Sequence, residues 1–596
     1  MNSNQRRGRQ FGRAFEKPKN RRYVLKRLWN YLSYYKFLLI VCIILTILSN
    51  SFNLIGPKLS GYAIDAIDLG EGNVNFKEVF FYASLMVAFY VLSSLFSYIL
   101  SLLMLKMSKK IVFKLRKDAF EKLMVLPVYY FDFNKTGDII SKMNYDIDTV
   151  NTSLSSDLIQ ICTSIITVVG SFIMMITISW KLVGVFLITI PISLLFTRMM
   201  LKRTHKMFKK RSQSLGELNA YAEEMITGMK TIKAYGKEDV ILANFDENNK
   251  YAADSAFKAE YYSSITGPGV NFVNNLSLTL VCVFGALLCV MGGFSFGNVS
   301  SFVLYSRKFS GPINEFANIF VDIQSSMAAA ERVFSIIDAE VEPVDKEDAI
   351  EIESKGNVEV SHVNFRYSKE RRQILKDVSF SAPEGKVIAI VGPTGAGKTT
   401  IVNLLMRFYD VDSGEIRLDG NDIRDIKRSE LRRSYAMVLQ ETWLFEGTVY
   451  ENLVYGNPNA TMDDVIKATK ASHIHSFITK LPNGYDTVLS EGGVKISKGQ
   501  KQLLTIARAM LLDSNMLILD EATSNVDTRT EIKIQDAMKT LMKGKTCFII
   551  AHRLSTIQNA DNIIVIKDGQ VVESGKHEEL LNNHGFYCSL YNSQFD

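Results

Sequence analysis

The sequence contains few cysteines, and none of them lies in a pair at metal-binding spacing. The six cysteines occur singly, without a Cys-x-x-Cys pair, which argues against a disulfide framework and against a zinc ribbon. Most lie in very apolar stretches, where a cysteine usually behaves as a small hydrophobic side chain. A cleavable signal is not indicated either, because the first apolar stretch begins only at Phe37 and is longer than the apolar core of a signal peptide.

Long stretches of the chain lack charge altogether. The 596 residues are 47% hydrophobic and 22% charged, which is too apolar and too patterned for a disordered chain. A helix that crosses a bilayer needs about 20 apolar residues, whereas buried helices of soluble proteins are usually amphipathic and shorter. The uncharged runs therefore predict six membrane spans, at residues 37–57, 80–104, 158–180, 182–199, 268–291 and 297–327.

The sixth predicted span is interrupted by Arg307, Lys308, Glu315 and Asp322. Ionisable groups within a span normally face a water-filled cavity or a partner helix, because exposing them to lipid is costly. The alternative is that the span ends early and continues as a cytoplasmic helix, which suits Asp322. Arg307 and Lys308 are the candidates for lining a cavity.

The distribution of positive charge indicates the topology. The net charge is +7, and residues 1–30 are strongly basic, with Glu16 as the one acid. Such a tail could bind nucleic acid, but beside hydrophobic segments it more often marks the cytoplasmic side of a membrane protein. Residues 106–157 and 198–260 are also basic. We therefore expect a multi-pass protein of the plasma membrane with a cytoplasmic N-terminus and no nucleic-acid partner.

The character of the chain changes near residue 338. Residues 338–356 are acidic and turn-rich and predict a linker. Beyond them, short β-type runs alternate with helical stretches, which indicates a parallel α/β domain. The predicted fold is an α-helical transmembrane domain with long cytoplasmic extensions followed by an α/β domain. Its expected segments are a basic tail at 1–36, a six-span domain at 37–337, the linker at 338–356 and the α/β domain at 357–596.

A phosphate-binding motif opens the second domain. The run from Gly392 through Gly397, Lys398 and Thr399 fits G-x-x-x-x-G-K-[ST] and follows a predicted strand at 387–391. The glycines allow backbone N–H groups to close around phosphates, and the helix that follows points its positive end at the anion. We expect Lys398 to reach the β- and γ-phosphates and the Thr399 hydroxyl to bind Mg²⁺.

A second strand-like run ends in two acids. Residues 516–519 are apolar and lead directly into Asp520 and Glu521, which predicts carboxylates at the end of a buried strand beside the P-loop. Asp520 can then bind the Mg²⁺ shell, while Glu521 can polarise the attacking water. The alternative role, a helix N-cap, is less consistent with the matched P-loop. The two motifs together predict that residues 357–596 form an α/β P-loop ATPase domain, which is a nucleotide-binding domain.

With these motifs in order, nearly the whole chain resembles a subunit of an ATP-binding cassette (ABC) exporter, a half-transporter of the multidrug or lipid type. The resemblance implies an adenine-stacking role for Tyr367, a Q-loop role for Gln440 near Mg²⁺, and a γ-phosphate contact for His552. The run from Ile496 to Gln500 occupies the signature position, and 524–527 matches the D-loop. The predicted catalytic residues are Glu521, His552 and Gln440. The predicted ATP-binding residues are Tyr367, Gly392, Thr394, Gly395, Gly397, Lys398, Thr399, Thr400, Ser497, Gly499, Gln500 and Asp520, with Thr399, Gln440 and Asp520 holding Mg²⁺.

Two cytoplasmic segments resemble the coupling segments of that family. One contains Phe131-Asp132 and Gly137-Asp138, and the other spans residues 228–233. An ordinary loop or helix role is the alternative for both.

The signature departs from the family pattern. The usual Leu-Ser-Gly-Gly-Gln is changed by Ile496 and Lys498, and the D-loop has Asn525 and Val526 where Ala and Leu are usual. Because the family's signature completes the site on the partner's P-loop, one hypothesis is a heterodimer in which this subunit carries the competent cis site. The other is that Lys498 is an ordinary variant in a homodimer.

The resemblance implies ATP-driven export of an amphipathic substrate, such as a drug or a lipid, by alternating access. A homodimeric lipid or peptide exporter is the alternative, and a gated channel or an importer is less consistent with the organisation of the chain. Large flexible and aromatic side chains in the spans suit such cargo but are equally typical of packing or lipid contact; they are Met104, Met174, Met175, Phe196, Met199 and Met200.

Overall fold

The structure is a computed structural model, and its chain divides into two compact units. The first unit comprises Met1–Leu126 and Asn134–Val341, and the second comprises Pro127–Phe133 and Glu342–Asp596. The residues that the structure describes are 20–67, 74–292, 294–368, 372–439, 442–490, 496–520, 527–550 and 557–593.

The first unit is helical throughout its described length. The segment Val128–Phe133 is also helical but belongs to the second unit. The helices up to residue 337 are α1 (Arg21–Ser33), α2 (Lys36–Asp65), α3 (Phe76–Met124), α4 (Val128–Phe133), α5 (Thr136–Ile178, with π-helical turns), α6 (Trp180–Thr227), α7 (Met229–Tyr235), α8 (Glu238–Val290) and α9 (Phe296–Ile337).

Four of these helices are long and apolar enough to cross a membrane. They are α2, α3, α5 and α8; α2 and α3 contain the predicted spans 37–57 and 80–104, and α5 and α8 contain all but the last one or two residues of 158–180 and 268–291. A helix suits a span because it satisfies its backbone hydrogen bonds internally, which lipid cannot do. The two other predicted spans, 182–199 and 297–327, lie within α6 and α9. The helical transmembrane fold is confirmed, while the number of six spans stays a prediction.

Small polar side chains join the first three apolar helices. Ser49 of α2 and Ser93 of α3 each donate their hydroxyl to the other's backbone oxygen, at 2.9 and 2.8 Å. Thr167 of α5 donates to the side-chain oxygen of Asn50 at 3.2 Å. Hydrogen bonds between small residues of this kind are a usual means of packing helices in lipid, where the hydrophobic effect does not drive association.

The second unit is built on two sheets and a short hairpin. A four-stranded sheet has the order β2-β1-β4-β5, a six-stranded sheet has the order β12-β11-β3-β10-β9-β6, and β7 pairs with β8. The strands are β1 (Val358–Phe365), β2 (Leu375–Ala382), β3 (Val387–Val391), β4 (Ser413–Leu418), β5 (Asn421–Asp422), β6 (Tyr435–Val438), β7 (Gly447–Thr448), β8 (Val488–Leu489), β9 (Met516–Asp520), β10 (Thr546–Ile550), β11 (Asn562–Lys567) and β12 (Gln570–Gly575).

Helices cover the six-stranded sheet, whose central strands are buried on both faces. Along β3, Ala389 and Val391 enter one hydrophobic cluster, while Ile388 and Ile390 enter the other. Burial of both faces explains why these strands are continuous apolar runs. The helices are α10 (Lys398–Leu405), α11 (Arg428–Arg433), α12 (Val449–Leu453), α13 (Met462–Ala471), α14 (His475–Ile478), α15 (Lys498–Met510), α16 (Thr528–Met542), α17 (His577–Asn582) and α18 (Phe586–Asn592). The predicted α/β class of this part is confirmed.

The linker region is attached to the second unit by ion pairs. Arg428 donates to the Asp345 carboxylate at 2.7 Å and to the Pro343 carbonyl at 2.6 Å, and Arg432 pairs with Glu342. The division between the units falls after Val341. The predicted segment boundaries, including the linker at 338–356, stay a prediction.

Candidate functional site

The candidate site lies at one edge of the six-stranded sheet. Strands β3, β10, β9 and β6 are mutually parallel, so their carboxyl ends meet at the same edge, where α/β proteins usually bind ligands. The P-loop follows β3, and Asp520 ends β9.

The sequence predicted Asp520 at the end of a buried strand beside the P-loop, and the structure adds the order of the strands at this edge. Strand β10 lies between β3 and β9, and Asp520 is paired with Ile550 of β10. With neighbouring strands about 4.8 Å apart, the ends of β3 and β9 are separated by roughly 10 Å. Strand β10 ends at Ile550, two residues before His552 in the sequence. The order of motifs along the chain did not reveal that this strand lies between the other two.

The P-loop backbone requires glycine at its first position. A Cβ atom on Gly392 would lie 2.2 Å from the carbonyl oxygen of Ile566 in the adjacent strand β11. Gly395 and Gly397 have positive φ angles of +82° and +109°, which side-chain-bearing residues rarely adopt. This conformation turns the chain from β3 into α10 within a few residues, so the N-terminus of α10 faces the sheet edge.

Lys398 lies folded over this loop. Its ammonium group donates to the carbonyl oxygens of Gly392 at 2.7 Å and Pro393 at 3.1 Å, and the residue is only 6% exposed. The neighbouring Thr394, Gly395 and Thr399 are exposed. The arrangement places a buried cation, exposed backbone and the exposed Thr399 hydroxyl at the start of one helix, which suits a phosphate chain.

Tyr367 stands beside α10. Its hydroxyl lies 3.0 Å from the hydroxyl of the buried Thr400, and its ring packs edge-on against Phe365 and Tyr409, each at 4.9 Å between ring centres. Thr400 was predicted to contact ATP, and the structure shows that it also anchors Tyr367. The predicted stacking of adenine on Tyr367 stays a prediction.

Tyr409 is a residue that the sequence analysis missed. Its hydroxyl donates to the Asp132 carboxylate of α4 at 2.5 Å. Burial, reinforced by this carboxylate, raises the pKa of Tyr409 well above its usual range, so the phenol keeps its proton. No local pattern marks Tyr409, because its partner lies far away in the chain.

The signature segment caps α15. The Ser497 hydroxyl accepts from the Gln500 backbone N–H at 3.2 Å, and the Gln500 side chain accepts from the Ser497 N–H at 2.9 Å. This capping box leaves Gly499 buried and Lys498 exposed in the first turn. The described D-loop residue, Asp527, caps α16 by accepting from Thr530 at 2.8 Å.

Several predicted residues lie outside the described residues. They are the three predicted catalytic residues Gln440, Glu521 and His552, together with Asn525 and Val526. In the sequence, Glu521 comes immediately after β9, and Gln440 and His552 each come two residues after β6 and β10. The described ends of these three strands lie at the edge of the sheet that carries the P-loop.

The first predicted coupling segment is divided between the two units, and the second lies in the first unit. Phe131 and Asp132 belong to α4 of the second unit, whereas Gly137 and Asp138 lie in α5, where Asp138 pairs with Lys142 at 3.0 Å. The segment 228–233 forms most of α7 in the first unit, which ends at the left-handed Gly236.

Comparison with known proteins gives a consistent assignment along the chain. Residues 39–313 match the ABC transporter transmembrane region, and residues 375–524 match the ABC transporter family. A fatty acid ABC transporter ATP-binding/permease protein of Mycobacterium bovis is 42% identical over 87% of this chain and 82% of its own length. An ATP-dependent lipid A-core flippase of Photorhabdus laumondii is 35% identical over 96% of this chain and 97% of its own length.

A solved structure is similar over most of the chain. A bacterial Atm1-family ABC exporter with ATP bound superposes with a TM-score of 0.74 at 28% identity, covering 94% of this chain and 98% of the other.

Proposed function

Because this chain belongs to the ABC transporter family, as an exporter half-transporter, we propose that it exports an amphipathic substrate as one subunit of a dimer. Membership confirms the predicted resemblance, the hydrolysis of ATP coupled to transport, and a multi-pass membrane protein with a cytoplasmic ATPase domain. The observation that carries the proposal is the P-loop geometry, in which Lys398 and the start of α10 face the sheet edge where Asp520 ends β9.

The proposed ATP site uses the P-loop for the phosphates and Tyr367 for the base. Backbone N–H groups of 394–399 and the Lys398 ammonium neutralise phosphate charge, while Lys398 exchanges its carbonyl partners for phosphate oxygens. In a second chain, Ser497, Gly499 and Gln500 complete the site from the opposite side. The capping box supports this role, because it holds the Ser497 hydroxyl at the N-terminus of α15.

The residues at the sheet edge fit a magnesium ion. Thr399 offers an exposed hydroxyl and Asp520 a carboxylate, and oxygen ligands of these kinds are the ones that Mg²⁺ prefers. We propose that Thr399, Asp520 and Gln440 hold Mg²⁺ with the nucleotide. The ion supplies neutralisation of the β- and γ-phosphate charge.

The proposed hydrolysis step places a water between the γ-phosphate and Glu521. The Glu521 carboxylate accepts a proton from the water as it attacks, and His552 steadies the γ-phosphate through a hydrogen bond. Closure of two cassettes around ATP opens the membrane domain outward, and hydrolysis resets it. The parallel strand order supports these roles, because β9 and β10 end at the P-loop edge and the two residues follow these strands in the sequence.

We propose that the dimer is a heterodimer, with the alternative of a homodimeric lipid or peptide exporter. The support is Lys498, an exposed cation where the family pattern has glycine. In the heterodimer, this chain supplies Lys398, Asp520 and Glu521 to the competent site, and its own signature serves a weaker site on the partner.

The substrate is proposed to be an amphiphile such as a drug or a lipid, exported across the plasma membrane. The Mycobacterium and Photorhabdus relatives are named for fatty acids and for lipid A-core, both of which combine an apolar tail with a polar head.

The experiment for the proposed function compares wild-type protein with Glu521→Gln, each reconstituted in lipid with its partner. Removing the base is expected to lower ATP turnover by about 100-fold or more while leaving ATP binding intact, because the P-loop is unchanged. Amphiphile-stimulated ATPase and ATP-dependent uptake into inverted vesicles are the readouts. Normal hydrolysis by Glu521→Gln would refute the assignment of the base, and absence of ATP-dependent uptake of any amphiphile would refute the exporter.

A further inference from the structure

Two adjacent cations lie far inside a helix that the sequence predicts to span the membrane. Arg307 and Lys308, called here the cation pair, belong to α9, which begins at Phe296. At 1.5 Å per residue, Lys308 lies about 18 Å from the start of this helix. If α9 spans the bilayer as the sequence predicts, the cation pair lies near the middle of the hydrocarbon core, which is about 30 Å thick and where an uncompensated charge is most costly.

Lys308 is held by the first apolar helix. Its ammonium group donates to the Asn53 side-chain oxygen at 2.6 Å and to the Asn53 backbone oxygen at 3.1 Å. Asn53 lies twelve residues before Asp65, the last residue of α2, so both residues are about equally far from the outer ends of their helices. These neutral oxygens satisfy the donors of Lys308 but leave its positive charge uncompensated.

Arg307 is exposed beside it. Among the residues that the structure describes, neither member of the cation pair forms an ion pair with a carboxylate. The next acid along α9, Glu315, is two turns away and accepts a hydrogen bond from Gln160 at 2.7 Å. The charge of the cation pair is therefore balanced by no described side chain.

Space is available next to Arg307. Gly311 lies one turn further along the same face of α9, and a Cβ atom added there would meet no described atom within 4 Å. A guanidinium fork and an ammonium beside open space have the chemistry that binds carboxylate or phosphate groups.

We propose that the cation pair binds the anionic head group of the amphiphile that this protein exports. The Arg307 guanidinium group donates two hydrogen bonds to the carboxylate or phosphate. Lys308, which is held by Asn53, supplies a second positive charge at the same level of α9. This inference rests on the proposed export function and deepens it by assigning a negative charge to the substrate. It also assigns to these two residues the discrimination between anionic and neutral substrates, to which the ATP site does not contribute.

The test compares amphiphiles that share one tail and differ in head group. The full-length protein with its partner is reconstituted in uncharged lipid, and ATPase stimulation is measured with oleate, oleyl phosphate and oleyl alcohol. A charge-assisted hydrogen bond is expected to lower the half-maximal concentration by about tenfold for an anion relative to the alcohol. Oleate and oleyl phosphate distinguish a carboxylate from a phosphate preference, and either preference supports the proposal.

Point variants test whether the preference for anionic amphiphiles depends on the cation pair. Arg307→Gln and Lys308→Gln are each expected to remove most of the anion advantage and to leave stimulation by oleyl alcohol unchanged. Arg307→Lys and Lys308→Arg, which keep the charge, are expected to retain much of it. Lys202→Gln removes an exposed cation from α6 outside the predicted spans and is expected to change nothing.

Three results would overturn the inference. One is an equal response of the wild type to anions and alcohol, and another is an anion advantage that survives Arg307→Gln and Lys308→Gln together. The third is an equal loss in the charge-keeping and charge-removing variants, which would mean a packing role. Stimulation by the alcohol alone would leave the export proposal standing, whereas no response to any amphiphile would remove both.

Discussion

At the residue scale, the P-loop shows why single positions admit one residue type. Gly392 has no room for a side chain because the Ile566 carbonyl of β11 closes over it, whereas Gly395 has open space but a positive φ. Lys398 uses the carbonyl oxygens of this same turn as its partners. The conformation of the P-loop backbone therefore determines where the Lys398 ammonium group lies.

Gly392→Ala is expected to damage both stability and ATP binding. A Cβ 2.2 Å from a carbonyl oxygen forces β3 and β11 apart, at a cost of about 2 kcal/mol or more. Gly395→Ala meets only the strain of its backbone angle, about 1 kcal/mol. Thermal unfolding of the full-length protein and binding of a fluorescent ATP analogue are the measurements, with Gly137→Ala, a helical site with open space, as control. Equal Tm values for the two P-loop variants would contradict the steric explanation.

At the scale of elements, α4 is held within the second unit by contacts to aromatic side chains. Asp132 accepts from Tyr409, whose ring packs on Tyr367, and Tyr367 is anchored to Thr400 of α10. A predicted coupling segment is thus connected to the start of the P-loop helix by consecutive contacts. Because these contacts form a continuous path, a rigid movement of α4 is expected to displace α10, and a movement of α10 is expected to displace α4.

Tyr409→Phe is expected to weaken coupling between hydrolysis and transport. The ring contacts remain, but the loss of a hydrogen bond to a carboxylate costs about 1.5–3 kcal/mol and loosens α4. We expect the amount of substrate moved per ATP to fall severalfold while basal hydrolysis stays near that of the wild type. Simultaneous measurement of uptake and phosphate release in proteoliposomes gives this ratio.

Two further variants control this prediction. Tyr455→Phe removes a hydroxyl from a ring that stacks on Phe445 elsewhere in the unit and is expected to leave the ratio unchanged. Asp132→Asn keeps an acceptor for Tyr409 and is expected to be milder than Asp132→Ala. An unchanged ratio in both Tyr409→Phe and Asp132→Ala would exclude a role of this contact in coupling.

At the scale of the whole molecule, the proposed ATP site requires two chains. The signature residues Ser497 and Gly499 lie at the N-terminus of α15, and Lys498 projects from its first turn into solvent. A cation at this end is unfavourable for the helix dipole and occupies the surface that the proposed dimer turns toward the partner's nucleotide. The identity of the partner therefore decides whether Lys498 impairs one site or two.

The variant Lys498→Gly tests the heterodimer hypothesis when this chain is expressed without any other subunit. If this chain needs a different partner, the wild-type chain alone is expected to hydrolyse ATP slowly, and the variant, which restores the family residue, is expected to be several times faster. Lys501→Gly, one turn further along α15, controls for a change of helix stability. Robust ATPase from a self-assembled wild-type dimer, unchanged by Lys498→Gly, would favour the homodimer.

Much of this protein could be predicted from contiguous residues. The apolar runs predict helices in a membrane because lipid offers no partners for backbone groups, and the P-loop is recognisable because its glycines, Lys398 and Thr399 are neighbours in the chain. The carboxylate Asp520 was recognisable because a buried strand precedes it. In each case the physical cause acts over a few residues, so the sequence records it directly.

Contacts between distant residues were decided only by the tertiary structure. Three such features join segments that are far apart in sequence. They are the insertion of β10 between β3 and β9, the hydrogen bond from Tyr409 to Asp132, and the hydrogen bond from Lys308 to Asn53. Their partners depend on strand order and helix packing, which arise from the burial of many side chains at once. Local chemistry thus identified the ATPase and the helical membrane domain, and packing determined which distant residues contact one another within each unit and which charges lack a counter-charge among the described residues.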